Sequence, residues 1–368
     1  VSSISETQAQ GTYFTERAMA WAEAGRVPDA LVRAGIRHLC RRRLADIGAD
    51  RDDLADQRTE RFARQMSASP IALVPDLANE QHYEVPSAFF DLVLGTHRKY
   101  SCACWDEGIT HLDAAEARAL EVTCERAALS DGMDILDLGC GWGTLSLWMA
   151  ERYPASRILA VSNSAPQRRH IEAEAARRGL GNLQVVTADM NHFQPERRFD
   201  RVVSVEMFEH MRNQARLMER IAGWLRPGGQ CFIHVFCHRS TPYAFEDNGP
   251  GDWMSRHFFS GGIMPSADLL PRFQQHLKLR RRWSWSGRHY QRTSNAWLAN
   301  LDARREQVRD VLVPVYGADQ VERWIGRWRI FFMACAELFG MNDGHEWFVS
   351  HYRFGRQADS PDRTAAPS

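Results

Sequence analysis

No stretch of this chain approaches the run of about 18 apolar residues that a membrane-spanning helix needs, so no integral membrane segment is expected. The first residues also lack the apolar h-region of a signal peptide. Charge of one sign is missing too. The 46 Lys and Arg balance 46 Asp and Glu, and without a basic excess no nucleic-acid partner is expected. Two short basic runs, Arg41-Arg42-Arg43 and Arg280-Arg281-Arg282, read as solvated faces. The eight cysteines have no disulfide-framework spacing, which points to reduced thiols and a cytoplasmic setting. Cys231, His234, Cys237 and His238 lie close together. Their spacing fits no common zinc pattern, and in a strand they would alternate between faces, so no metal is expected.

What is present suits a large globular core: 368 residues, 44% hydrophobic and 25% charged. Residues 12–66 carry helical periodicity. Val32, Ile36, Leu39, Cys40, Leu44 and Ile47 recur at three- and four-residue spacings, with Arg33, Arg37 and Arg41 on the other side. A helical N-terminal region to residue 77 follows. Its basic amphipathic helix suits packing on the rest of the chain better than a membrane surface.

Further on, strand and helix alternate. Strands are expected at 135–138, 158–161, 183–187, 201–205 and 231–236, with helices at 145–152, 167–178 and 213–225. This order predicts an α/β fold, a Rossmann-like parallel sheet with helices on both faces. Residues 241–268 break the rhythm and read as an insertion. Helices at 294–315 and 318–340 and late strands at 277–285 and 347–354 complete the domain, which runs over 78–356. The tail, 357–368, is disordered by composition.

The strongest motif is Ile135-Leu136-Asp137-Leu138-Gly139-Cys140-Gly141-Trp142-Gly143. A strand enters three alternate glycines and then a helix, which lets a ligand approach the main chain. A dinucleotide site wants G-x-G-x-x-G and an acid about 20 residues on; this loop is G-x-G-x-G, and the second strand ends in Ser162-Asn163. Asp137 would repel a pyrophosphate but could receive an amino-acid ammonium, a group that S-adenosylmethionine carries. Asp189, after the third strand, could accept from an adenine amino group, and Gln167 could reach a ribose. Either aspartate alone serves equally well as a turn or cap residue; together at successive strand ends they favour this cofactor.

The fourth strand leads into Glu206-Met207-Phe208-Glu209-His210-Met211. On a helix Glu206, Glu209 and His210 would share one face, a set suited to binding a cation and moving a proton. His234, Glu80, His82 and Tyr83 are further candidates. Aromatic residues at Trp253, His257, Phe258, Phe259, Trp324, Trp328, Phe331 and Phe332 could line a pocket for a cationic substrate or simply fill the core.

Residues 78–86, 99–105, 136–143, 204–211, 232–238 and 252–265 resemble the cyclopropane-fatty-acid synthase family of methyltransferases, and within it the coclaurine N-methyltransferase branch. The resemblance covers about residues 78–355. It implies a class I methyltransferase fold with a helical insertion over the active site, S-adenosylmethionine as methyl donor, and Tyr100, Ser101, Gly139, Asn163, Gln167, Asp189 and Met190 around it. It also implies that Glu206, Glu209 and His210 face a substrate amine. Glu80, Tyr83, Trp328, Phe331 and Phe332 are the substrate-binding candidates from the residues themselves. Cyclopropane synthases hold bicarbonate with a Cys, a Glu, a His and a Tyr. Cys102, Glu209 and His234 match three of these, and the tyrosine is expected near 330–332, where this chain has no hydroxyl. The expected activity is N-methylation of a small, isoquinoline-like amine. The alternatives are C-methylation or cyclopropanation of an alkene, and a noncatalytic S-adenosylmethionine-binding protein. A homodimer is left open.

Overall fold

The computed structural model describes residues 17–73, 85–246, 249 and 252–356. The expectations for residues 1–16, for Glu80, His82 and Tyr83, and for the tail at 357–368 lie outside the described residues. After a helical stretch over 17–23 come two helices, α1 (Asp29–Asp46) and α2 (Ala55–Ser67). Cys40 of α1 is buried, and Val32, Ile36 and Leu44 pack on the core beside it. Arg33 and Arg37, on the other side of the helix, both reach Glu337, at 2.8 and 2.7 Å, whereas Leu39 of the expected apolar stripe is exposed. The helix packs on the rest of the chain, as expected, and Arg41 and Arg42 stay in water.

After α3 (Ser87–Val93) and α4 (Leu112–Arg126) the alternating section begins. It runs β1 (Asp134–Leu138), α5 (Thr144–Arg152), β2 (Arg157–Ser162), α6 (Ala165–Arg178), β3 (Leu183–Thr187) and β4 (Phe199–Val205). Then follow α7 (Gln214–Trp224) and β5 (Leu225–His238). A short ladder, β6 (Tyr243–Ala244) with β7 (Ile263–Met264), brackets the five-residue α8 (Trp253–His257). The chain ends with β8 (Lys278–Trp285), α9 (Gly287–Ala303), α10 (Arg305–Tyr316), α11 (Val321–Gly340) and β9 (Trp347–Gly355).

The seven strands lie in the order β3-β2-β1-β4-β5-β9-β8. The first five are parallel and the last two antiparallel. All five residues of β1 are buried, as a strand covered by helices on both faces must be. The order reverses between β1 and β4, so their C-terminal ends open a crevice, the usual ligand position in such sheets. β8 closes one edge and carries the expected Arg280-Arg281-Arg282 run. Exposed charge on an edge strand discourages pairing with another chain.

Two expectations change. The helix expected at 294–315 is two helices: α9 starts seven residues earlier, where the Ser286 hydroxyl caps the Arg288 N–H, and stops at Arg304, whose backbone leaves the helical region. The segment at 241–268 is a two-stranded ladder with one short helix, so it is more loop than helix, although it does cover the crevice.

Candidate functional site

Two clefts meet at the C-terminal ends of β1 and β4, sharing Gly139 and Glu206. The first, about 750 Å³, is bordered by Asn163, Asp189, Met190, Met207, His210 and Ser260–Gly262 of the covering segment. The second, about 670 Å³, is bordered by Lys99, Tyr100, Ser101, Asp137, Gly141 and Gln167. The motif residues therefore line one continuous trough.

Gly139 has φ +76°, and a Cβ there would sit 2.4 Å from the Met207 side chain, so only glycine lets these two walls approach. Gly143 differs from the expectation. Its Cβ would meet Ile171 at 2.5 Å, and it borders neither cleft. It packs α5 against α6 rather than touching a ligand.

Asp137 is buried. Ser146 donates to one of its oxygens at 2.6 Å, yet desolvation raises its pKa to about 6. Gln167 accepts from the Ser162 hydroxyl at 2.6 Å, and its buried amide nitrogen has no hydrogen-bond partner among the described residues. Asp189 accepts the Asn191 N–H at 2.9 Å, which fixes its carboxylate at the rim of the first cleft. An underpaired carboxylate, an unpaired amide donor and open glycine backbone in one trough, with a second carboxylate at its far end, fit an elongated ligand bearing an ammonium and a polar ring.

The Glu206 region departs from the helical expectation. Glu206 has φ +49°, in the left-handed region, and only Phe208–His210 forms a single 3-10 turn. The three side chains consequently diverge. Glu206 turns into a nest of donors: the Cys102 N–H at 3.0 Å, His234 Nε2 at 3.2 Å and the Tyr290 hydroxyl at 2.8 Å. Burial raises its pKa, while nearby Lys99 and these donors work in the other direction. Glu209 is fully buried. One oxygen accepts the Phe236 N–H at 2.8 Å and the other has no partner among the described residues, so desolvation and the Glu206 charge push its pKa well up. His210 faces the first cleft beside Phe259, ring centroids 4.7 Å apart, and burial lowers its pKa to about 4.

Tyr290 answers the expectation of a missing hydroxyl. It lies on α9, forty residues before the position expected from sequence, and no local pattern in Gly287-Arg288-His289-Tyr290 marks it. Trp328, Phe331 and Phe332 also depart from expectation. They are buried in the core, with Phe331 stacked on Phe258 at 4.5 Å, and they border neither cleft. The apolar face of α11 needs filling, and these rings fill it. Cys231 and Cys237 lie on the opposite face of β5 from His234 and His238, as strand parity requires.

The family model described as mycolic acid cyclopropane synthetase matches residues 75–347. The (S)-coclaurine N-methyltransferase of Thalictrum flavum subsp. glaucum is 38% identical over 298 residues, covering 80% of this chain and 82% of that one. The cyclopropane-fatty-acyl-phospholipid synthase of Escherichia coli (strain K12) is 27% identical over 275 residues, 74% of this chain and 67% of that one. Among solved structures, a coclaurine N-methyltransferase bound to N-methylheliamine and SAH superposes with a TM-score of 0.87. It is 31% identical, with 94% of this chain and 99% of that one covered. A cyclopropane synthase of Mycobacterium tuberculosis superposes with a TM-score of 0.65 at 22% identity, covering 76% and 98%, and so speaks for the fold alone.

Proposed function

This chain belongs to the mycolic acid cyclopropane synthetase family, and we propose that it is an S-adenosylmethionine-dependent methyltransferase acting on the nitrogen of a small amine, of isoquinoline-like type. The observation that carries the amine reading is Glu206. Three donors converge beside Gly139, and the acceptor they hold is a carboxylate of the protein itself. A fixed internal carboxylate at the junction of the clefts attracts a cationic amine and needs no added anion.

In this reading Asp137 holds the amino-acid end of the cofactor, Tyr100 and Ser101 wall it, Gln167 reaches its ribose, and Asn163, Asp189 and Met190 hold the rest of the nucleoside. When bound, the cofactor supplies an activated methyl group on a sulfonium. The chain's own residues orient the amine and take its proton. His210 is neutral at pH 7 and accepts a hydrogen bond from the amine; Glu209, with one oxygen unpartnered among the described residues, receives the proton. Positioning supplies most of the remaining acceleration.

A second reading has its own support. Cys102, Glu209, His234 and Tyr290 supply the Cys, Glu, His and Tyr that the resemblance assigns to a bicarbonate site, which favours alkene chemistry if an anion displaces the Glu206 carboxylate from their donors. Methyl-labelled cofactor offered to an amine panel and to unsaturated phospholipid, with and without bicarbonate, decides between them. Label in an amine, independent of bicarbonate, is expected. Bicarbonate-dependent cyclopropane product would overturn the amine reading.

Asp137 carries a further expectation. Its folded-state pKa is raised above the unfolded value, so the folded protein binds the extra proton. Stability is then greatest at low pH and declines as pH rises through about 6. The penalty at pH 7 is about 3 kcal/mol. Asp137→Asn should therefore raise the Tm of the ligand-free protein at pH 7. The same variant should weaken S-adenosylhomocysteine binding by about 1.5–3 kcal/mol, the scale of one charged hydrogen bond. In the unaltered protein that affinity should fall as pH drops below 6. Calorimetry across pH 5–8 checks all three, and unchanged affinity in the variant would remove Asp137 from the cofactor site.

The division into a helical region to residue 77 and a catalytic domain over 78–356 belongs to the same proposal, as do a homodimer and a cytoplasmic setting. All eight thiols are unpaired and seven are buried, which supports a reducing compartment. No helix among the described residues is long and apolar enough to cross a membrane. Light scattering on the purified protein tests the dimer.

A further inference from the structure

The hydrogen bonds that hold Glu206 continue past His234. His234 Nδ1 lies 2.9 Å from His351 Nε2 on β9, and His351 Nδ1 lies 2.7 Å from Arg126 Nη1 at the last residue of α4. Both imidazoles are buried. Trp285 packs 4.4 Å from the His351 ring and 5.6 Å from that of His234, and Phe232 packs 5.2 Å from His351. The Arg126 guanidinium lies over Trp283 and Trp285 at 5.4 Å. These rings wall the two imidazoles from water, while Arg126 at the far end is half-buried.

The polarity of this chain follows from its far end. A guanidinium has donors and no acceptor, so His351 Nδ1 must accept. A neutral His351 then carries its hydrogen on Nε2 and donates to His234 Nδ1. That leaves His234 with its hydrogen on Nε2, donating to the Glu206 carboxylate. Neutrality of both rings agrees with their burial and with the nearby charges of Lys99 and Arg126.

We propose that Arg126 and His351 are positioning residues: they fix His234 as the Nε2–H tautomer and so hold Glu206 ionised and oriented at the junction of the clefts. The catalytic side of this inference rests on the amine reading of Glu206. Arginine does not release its proton under working conditions. The row therefore ends blind and orients Glu206 without conducting protons to the surface.

The test separates the inference from the amine reading, because its first readout needs no substrate. Full-length protein labelled with ¹⁵N in histidine reports tautomers directly, with His351→Gln used to assign signals. Both His234 and His351 should be neutral with hydrogen on Nε2. In Arg126→Met, His351 loses its obligate donor and should populate the other tautomer. S-adenosylhomocysteine affinity should stay within about twofold, and the KM of an accepted amine should rise about tenfold with little change in saturated turnover, because Arg126 acts through Glu206. Arg126→Lys, also a pure donor, should restore the Nε2–H form and bring the amine KM most of the way back. His234 found as the Nδ1–H tautomer in the unaltered protein would overturn the inference, and that spectrum decides even if Arg126→Met does not fold. Arg126→Met leaving both tautomers unchanged would overturn it equally.

Discussion

Glu209→Ala and His210→Ala should each cut turnover by about 10²–10⁴, the range for a positioned acid–base group, while leaving S-adenosylhomocysteine affinity nearly unchanged. Glu209 sits behind the cleft, next to His210 in sequence, with one carboxylate oxygen that has no partner among the described residues, which leaves that oxygen available to a proton. Glu209→Gln separates charge from shape. It can still accept the Phe236 N–H, and it should be as inactive as alanine if proton acceptance is the role. His210, with a pKa near 4, is already neutral throughout pH 6–9. A rise in rate across that range therefore belongs to the amine losing its proton and not to His210. Stopped-time assays at saturating cofactor with parallel calorimetry check both variants. Near-normal turnover with poor cofactor binding would make these residues supports of the cofactor loop and move the proton acceptor elsewhere.

Glu206→Gly should raise the amine KM by about 10–150-fold, the loss of one charged interaction, and formate or bicarbonate should lower it again. The substitution removes a carboxylate from the Cys102 N–H, His234 and Tyr290 and leaves a hole of carboxylate size lined by donors. A small anion can satisfy those donors as the side chain did. Glycine also suits the φ of +49°, where a non-glycine residue is strained by about 1 kcal/mol, so backbone relief offsets part of the lost hydrogen bonding. Acetate or a larger carboxylate should rescue less well than formate. A folded variant with normal cofactor affinity and no response to any small carboxylate would show that the donor nest does not govern substrate attraction.

The alternation of strands and helices over 135–236 was legible in the sequence because each element is short, periodic and closed by its own turn signals. That Asp137, Gly139, Gly141, Gln167 and Asp189 lie at one edge of the sheet was legible for the same reason: a parallel sheet delivers successive strand ends to one edge, whatever the details of packing; Asn163 and Met190 entered only through the family resemblance. The sequence also carried the family resemblance, and with it the expectation of a methyl donor.

Only the tertiary structure decided how the reactive groups are arranged. Glu206, Glu209 and His210 look like one helical face, but a left-handed residue at 206 sends the three in different directions. Tyr290 reaches Glu206 across 84 positions and Arg126 reaches His351 across 225. No local periodicity encodes such pairings, because they depend on where α9 and β9 fold back against the sheet. Trp328, Phe331 and Phe332 became core rather than pocket for a related reason. An apolar helix face has the same composition whether it meets a ligand or its neighbours, and only packing tells the two apart.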